Sequence, residues 1–383
     1  MRRAAAALVL ITVAAFPARG AAAGPRPHPA PSGEIVFAAC EAADVHGCYA
    51  PPPVETGIKE TRDWTVPELY VREEDGSTRR LTYNDSLESG LIFSPDGTRA
   101  AFSVSNGAGT CRIYTMSLDG GPMTPVTPEN EGVCAQAHDW SPDGQWILFG
   151  NYYDDPGGEL LKIRPDGTGL SQFTCFTTPG TGAWGARWVD GGSRIVVDAT
   201  LEADGGRYRD GIYSMDSDGN DFRELSSVNV WGDLVISPDG RSLFVATHHW
   251  GRKDGEIFEV SLDGGATRRL TDNDLDELDV LLSPDGSKLI YTVGHLWGSD
   301  NATARARILD LRSGRSRALR LPETVHLSVS WDTHWQWSPD GTSVAVRTRQ
   351  QGGAAIVWVS VDGRHSGRLV EERPEMDLFG WLP

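Results

Sequence analysis

The stretch VLLSPDGSKLIYTV (280–293) contains the pattern that decides the fold: an apolar strand, a Ser-Pro-Asp-Gly turn and a second apolar strand. In this turn Pro presets φ and Gly tolerates a positive φ, so the chain reverses sharply between the two strands. Alternation of apolar and polar residues on both sides predicts strands rather than helices. The same pattern recurs in five further segments: LIFSPDGTRAAFSV (91–104), HDWSPDGQWILFG (138–150), ARWVDGGSRIVVDA (186–199), LVISPDGRSLFVA (234–246) and WQWSPDGTSVAVR (335–347).

The copies recur with the period of a four-stranded propeller blade rather than that of a helical repeat. Measured at the Ser position, with Val189 in the degenerate copy, they are spaced by 47, 48, 48, 46 and 55 residues. A third strand of the type RIYTMSLDG and a short fourth strand such as ATRRLT complete each unit. The pattern therefore predicts repeated four-stranded antiparallel blades.

The ends of the chain supply the parts of one further blade. GEIVFAAC (33–40) is typical of a second strand, ELYVREEDGSTRRLT (68–82) of a third and fourth, and DLFGWLP (377–383) of a first strand. We therefore expect an all-β fold over residues 34–383, a seven-bladed β-propeller closed by a blade that is split between the N- and C-termini. Such closure removes exposed sheet edges.

The SPDG segments, followed by IYxM/VxxDG third strands and by RRLT, resemble the TolB-type propeller repeat. This WD-like repeat architecture is also found in the propeller domains of prolyl oligopeptidase-like peptidases. The resemblance covers nearly all of the chain after the N-terminal segment and implies the fold, whereas a propeller hosts many unrelated activities. The peptidases carry a hydrolase domain with a G-x-S-x-G motif, which does not occur in this sequence, so we expect no peptidase activity.

Residues 1–23 are typical of a bacterial signal peptide. Arg2 and Arg3 precede the apolar run 4–16, and small residues follow at 21–23. A Pro-rich lead-in (24–33) comes next, and we expect a secreted or extracytoplasmic protein. An oxidising compartment favours disulfides. Cys40 and Cys48 are the expected pair, while Cys134 could pair with either of the two other cysteines, Cys111 or Cys175.

The net charge of −18 disfavours two classes of partner. It repels nucleic acid phosphates and anionic lipid headgroups, so we expect no nucleic acid binding and no membrane insertion after signal cleavage. A cationic partner is favoured instead. We expect a monomer whose partner is an envelope or extracellular protein, peptide or glycan.

Candidate binding residues lie in the long loops of one face and at the start of the first strands. The loops carry aromatic and histidine side chains that could stack on a ligand or simply pack against one another. The residues before the turns could form a polar ring at a tunnel mouth, either as a ligand site or as mutually paired groups. The predicted set is Trp184, Arg187, Trp231, Asp233, His249, Trp250, Asp279, His295, Trp297, His334 and Gln336, with Asp139 in an equivalent position.

These features favour a binding module without a catalytic domain and without a cofactor. The alternative is a metal-dependent polysaccharide lyase, since oligogalacturonate lyases are similar in having such a propeller and a metal held by His and Gln. That resemblance implies a transition metal at His249, His295, His334 and Gln336. Calcium is a further possibility at DNDLDELD (272–279), although we expect a solvated acidic loop there because the Gly and Glu of an EF-hand are missing.

Overall fold

The computed structural model describes residues 30–40, 67–84, 86–105, 110–129, 133–152, 157–203, 205–247, 255–273, 275–294, 305–322, 335–350, 353–373 and 376–383. These residues form strands almost throughout, with a single 3-10 turn among them at Asp190–Gly192. None of their helical segments is long and apolar enough to span a membrane. The expected all-β class is confirmed.

The strands of the described residues form six sheets, in which all pairings are antiparallel except one parallel pairing between Cys111 and Cys134 in sheet 2. Sheet 1 contains β1 (Glu34–Ala39), β2 (Glu68–Arg72), β3 (Thr78–Arg80) and the C-terminal strand, which is β28 (Met376–Leu382). Sheet 2 contains β4 (Leu87–Phe93), β5 (Arg99–Ser105), β6 (Cys111–Ser117), β7 (Thr124–Pro125), β8 (Cys134–Trp140), β9 (Ile147–Tyr152), β10 (Glu159–Ile163) and β11 (Ser171–Gln172). Sheet 3 contains β12 (Gly182–Val189), β13 (Arg194–Ala203), β14 (Arg207–Asp216) and β15 (Arg223–Ser226).

The three remaining sheets each contain four consecutive strands. Sheet 4 contains β16 (Trp231–Ile236), β17 (Ser242–Ala246), β18 (Ile257–Ser261) and β19 (Thr267–Arg269). Sheet 5 contains β20 (Asp276–Leu282), β21 (Lys288–Gly294), β22 (Arg305–Asp310) and β23 (Arg315–Ala318). Sheet 6 contains β24 (Trp335–Trp337), β25 (Ser343–Gln350), β26 (Gly353–Ser360) and β27 (Ser366–Arg373).

Sheet 1 joins the two ends of the chain. β28 pairs antiparallel with β1, from Glu34 opposite Leu382 to Ala39 opposite Met376, and β1 pairs in turn with β2. The indole Nε1 of Trp381 donates to the carbonyl of Ser32 at 3.1 Å. The predicted pairing of the C-terminal segment 377–383 with the N-terminal strand within 33–40 is therefore confirmed.

The eight strands of sheet 2 divide into two four-stranded halves, β4–β7 and β8–β11. Cys111 and Cys134 pair in parallel between β6 and β8, and a disulfide joins the same two residues. Cys134 thus takes Cys111 rather than Cys175, which is exposed and free. Cys40 is also disulfide-bonded, and its expected partner Cys48 lies outside the described residues.

The Ser-Pro-Asp-Gly turns hold themselves together by side-chain hydrogen bonds. In the turn of sheet 5, the hydroxyl of Ser283 donates to Asp285 Oδ1 at 2.6 Å, and the amide of Gly286, at φ 70°, donates to the Ser283 carbonyl at 2.8 Å. The bond from Ser283 and the amide and hydroxyl of Ser287 lower the pKa of Asp285 to about 2. The same Ser–Asp bond recurs at Asp96, Asp143, Asp239 and Asp340.

The apolar core lies between consecutive sheets and between the two halves of sheet 2. A β-sheet with one apolar face must bury that face against a neighbour, which explains this arrangement. Each cluster joins two neighbours in chain order. The first three join sheet 1 to the first half of sheet 2 (Val36, Phe102), the two halves of sheet 2 to each other (Ile113, Phe149), and sheet 2 to sheet 3 (Leu148, Ile195). The other four join sheet 3 to sheet 4 (Val196, Leu243), sheet 4 to sheet 5 (Phe244, Leu289), sheet 5 to sheet 6 (Ile290, Val344), and sheet 6 back to sheet 1 (Ala345, Phe37).

Candidate functional site

Two β-bulges place side chains of neighbouring first strands close together. β8 shifts register against β9 between Ala137 and Asp139, which makes His138 the extra residue. β12 shifts register against β13 between Ala183 and Gly185, which makes Trp184 the extra residue. A bulge re-aims the side chain of its extra residue. Both side chains consequently reach the same third residue, Tyr152.

Tyr152, the last residue of β9, connects the two bulges. Its hydroxyl donates to the Trp184 carbonyl at 2.8 Å and lies 3.2 Å from His138 Nε2. The phenol has one hydrogen, so His138 Nε2 is the donor in the second bond and Nδ1 of the neutral ring is left as an acceptor. The Tyr152 and Trp184 rings stack at 6.3 Å with an interplanar angle of 15°.

Arg187 ties the strand that carries Trp184 to both neighbouring sheets. Its Nη1 donates to the carbonyl of His138 at 2.6 Å and to that of Ala186 at 3.0 Å. Its Nη2 lies 3.4 Å from Asp233 Oδ1 on β16, whose side chain is 83% exposed. An ion pair this exposed contributes little stability. Arg187 therefore serves mainly to fix the His138 backbone, and its charge remains close to solvent.

Burial governs the protonation states around Tyr152. It lowers the pKa of His138 to about 3, and the nearby positive charge of Arg187 acts in the same direction. Burial and, to a smaller extent, the charge of Asp210 raise the pKa of Asp198 on β13 to about 7. The pKa of Tyr152 is also raised, by burial and by Asp198. The site thus combines a neutral imidazole with a carboxyl group that titrates near neutrality.

We call His138, Tyr152, Trp184, Arg187 and Asp198 the Trp184 cluster. The indole of Trp184 is 44% exposed and is held by a hydrogen bond from its Nε1 to Thr200 Oγ1 at 2.9 Å. Packing beneath the cluster is tight, because a Cβ added to Gly150 would lie 2.7 Å from His138 Nε2. The cluster offers a rigid aromatic surface, a cationic group and two groups able to exchange a proton.

Of the residues that the sequence singles out, the structure brings Arg187 and Asp233 into contact, and Trp184 lies on the same strand as Arg187. Trp231 and Gln336 are half-buried on β16 and β24. Asp139 accepts a hydrogen bond from the backbone amide of Trp188 at 2.8 Å. Asp279 lies on β20. The other predicted residues, His249, Trp250, His295, Trp297 and His334, lie outside the described residues.

Sequence reasoning missed His138, Tyr152 and Asp198. One available signal is an aspartate within an otherwise apolar strand, IVVDA (195–199). The bulges that gather the three residues leave no mark in a single sequence. The acidic segment 272–279 was also misjudged: Asp276 and Glu277 are not solvated but 0% and 1% exposed, because they belong to β20 at a sheet junction.

The described residues contain no group of three or more His, Cys, Asp and Glu side chains that could hold a metal ion. Of the four ligands that the lyase resemblance implies, Gln336 alone belongs to this part of the chain. The residues present here therefore do not make up the implied site.

Comparison with known proteins supports the fold. No family model matches the chain, and no curated protein matches it. Among solved structures, the chain is similar to an oligogalacturonate lyase in complex with manganese, with a TM-score of 0.59 and 13% identity over 89% of this chain and 86% of the other. It is similar to a prolyl endopeptidase, with a TM-score of 0.58 and 17% identity over 82% of this chain and 46% of the other. TolB from Acinetobacter baumannii matches with a TM-score of 0.49 and 16% identity, over 83% and 79%. The chain thus has a β-propeller fold.

Proposed function

We propose that the chain is a closed ring of seven four-stranded blades that is exported and acts as a monomeric binding module. The two halves of sheet 2 then count as separate blades. The core clusters support this arrangement, because they follow the chain from sheet 1 to sheet 6 and the last one returns to sheet 1. Export is supported by the Cys111–Cys134 disulfide, since such bonds persist in oxidising compartments, and by the signal-like residues 1–23.

The ligand is a protein, peptide or glycan of the cell envelope or its surroundings, and it binds at the Trp184 cluster. The observation that carries this proposal is the exposed indole of Trp184, fixed at a strand bulge beside Arg187. A rigid indole offers a large contact area at a small cost in conformational entropy, which is why Trp and Arg dominate binding surfaces. The net charge of −18 favours the approach of a cationic ligand.

The test is isothermal titration of the full protein with two probe panels, Lys/Arg-rich peptides and neutral or acidic oligosaccharides. For a probe that binds, we expect Trp184→Ala to weaken binding at least about tenfold, as for a central aromatic anchor. Phe222→Ala is the matched control, because Phe222 is similarly exposed, at 42%, but stacks on Tyr213 beside the Gly219 turn. Equal affinities of the two variants, or no binding by either panel, would contradict the proposal.

The second candidate is a metal-dependent polysaccharide lyase. The observation that favours it is the near-neutral titration of Asp198 in the same cluster as Arg187, since a carboxylate can accept a proton and a guanidinium can hold a uronate carboxylate. Elemental analysis after exhaustive desalting distinguishes the two functions. A stoichiometric transition metal that is lost in His334→Ala, together with eliminative cleavage of an acidic polysaccharide, would establish the lyase. Protein without metal would leave the binding module.

A further inference from the structure

Two junctions between sheets are built from the same sequence motif, and each buries a pair of glutamates. The segments RRLTYNDSLE (79–88) and RRLTDNDLDE (268–277) share Arg, Thr, Asn and Glu at identical spacing. A further glutamate precedes the second arginine of each segment: Glu68 lies 12 residues before Arg80, and Glu256 lies 13 residues before Arg269. The first junction joins sheets 1 and 2, and the second joins sheets 4 and 5.

At the first junction one asparagine holds both carboxylates. Glu68 Oε1 accepts a hydrogen bond from the backbone amide of Asn84 at 2.9 Å and forms an ion pair with Arg80 Nη2 at 2.8 Å. Glu88 Oε1 accepts from Asn84 Nδ2 at 2.6 Å. The two glutamates are only 5% and 4% exposed. The ion pair of Arg80 thus involves one of the two buried glutamates, Glu68, and Asn84 connects this glutamate to Glu88.

The second junction repeats this arrangement. Glu256 Oε1 accepts hydrogen bonds from the backbone amide of Asn273 at 2.8 Å and from Arg269 Nη2 at 2.5 Å. Glu277 Oε1 accepts from Asn273 Nδ2 at 2.6 Å, and its Oε2 accepts from the hydroxyl of Thr271 at 3.3 Å. These glutamates are 2% and 1% exposed. Within the described part of the chain, the charged groups near this pair include Asp272, which pairs with Arg269 at 2.9 Å, and Asp276 of β20.

Three of these carboxylate oxygens have no hydrogen-bond partner, namely Oε2 of Glu68, Glu88 and Glu256. A buried charged oxygen without a donor is costly, and two adjacent carboxylates also repel each other. A proton within each pair removes one charge and gives an unpartnered oxygen a donor. In agreement, burial and the charge of Glu68 raise the pKa of Glu88 to about 7, and burial and Glu256 raise the pKa of Glu277 to about 8.

We infer that Glu68 with Glu88, and Glu256 with Glu277, are two buried proton-binding sites that couple the packing of neighbouring sheets to pH. Each pair retains one proton in the folded protein at pH values where both glutamates of the unfolded chain are ionised. The folded state then binds more protons than the unfolded state, so stability decreases as pH rises. For each pair the equilibrium constant for unfolding increases by up to about tenfold per pH unit. This increase extends from about pH 4.5, the pKa of a glutamate in the unfolded chain, to the pKa of the pair in the folded protein. This inference is independent of the ligand at Trp184.

The test is urea unfolding of the full protein from pH 5 to pH 9 for wild type, Glu88→Gln, Glu277→Gln and the double variant. Glutamine mimics the protonated acid, so each variant should lose its pair's contribution to the pH dependence. Glu129→Gln is the control, because the Glu129 side chain is 76% exposed. A double variant with the wild-type pH dependence would refute the inference.

Infrared spectroscopy tests the inference without relying on a variant that must fold. The wild-type protein should show, at pH 6, the C=O stretch of buried protonated carboxylic acids with an intensity beyond that of the single acid Asp198, and this band should disappear by pH 9. Absence of this additional intensity at pH 6 would refute proton binding. Calcium chloride provides a further test at pH 8: if it raises the Tm of wild type but not that of the double variant, the pairs bind a cation instead and the inference is wrong.

Discussion

Removal of the Cys111–Cys134 disulfide tests how far the junction between the halves of sheet 2 depends on a covalent link. The bond closes a segment with a sequence separation of 23. With this separation, the chain-entropy relation gives the reduced unfolded chain about 11 cal/mol/K of additional entropy, or about 3.4 kcal/mol at 25 °C. The folded junction keeps its apolar cluster of Ile113 and Phe149, so the fold should persist. We therefore expect Cys111→Ala/Cys134→Ala to lower the free energy of unfolding by about 3 kcal/mol.

The assay is guanidinium unfolding followed by tryptophan fluorescence, with midpoint and slope compared between variants. Mutation is preferable to a reducing agent, which would also cleave the disulfide of Cys40. Cys175→Ser serves as the control, because this thiol is free and exposed and its loss should change stability by less than about 0.5 kcal/mol. An unchanged midpoint in the double variant would refute the entropic reasoning, as would an equal loss in the control.

Three further predictions concern the Trp184 cluster and a sheet junction. Gly150→Ala forces a Cβ against His138 and should cost about 1–3 kcal/mol in thermal unfolding, whereas Gly185→Ala, with open space at its Cβ, should cost less. The His138 ring should show no NMR titration between pH 8 and pH 5, and its share of stability should decrease as pH falls below 6.5 because the unfolded chain takes up the proton. Thr292→Val removes the buried acceptor of the Trp335 indole, 3.0 Å away, and should cost about 1–3 kcal/mol by urea unfolding.

The strand units could be predicted because the turns that separate their strands are specified by neighbouring residues in the sequence. Each turn is specified within four residues, as the Ser283–Asp285 bond and the positive φ of Gly286 illustrate, so it appears directly in the sequence. The pairing of β28 with β1 was predictable for a related reason: each terminal segment lacks the strands that the other supplies. Both features, the turns and the complementary terminal strands, can therefore be recognised in a single sequence without knowledge of distant contacts.

The candidate site could be predicted only in part, because it depends on register. Trp184 stands out as an aromatic residue in a loop-rich region, but His138 becomes its neighbour only through bulges in two different sheets. The surroundings of Glu277 likewise include Glu256, which lies just before β18 of the preceding sheet and is linked to Glu277 through Asn273. Composition does not report long-range geometry of this kind, so the aspartate-rich segment 272–279 wrongly predicts a solvated loop.

The pairing of the last strand with the first also constrains how the molecule is made. Trp381 and Ser32 are 349 residues apart, so during synthesis sheet 1 waits with one side uncovered until almost the whole chain has left the ribosome. Contacts at such separations form slowly, because the entropy of bringing the ends together must be overcome first. The uncovered side of β1 is therefore the surface on which a chaperone, or a strand from another nascent chain, would compete with β28.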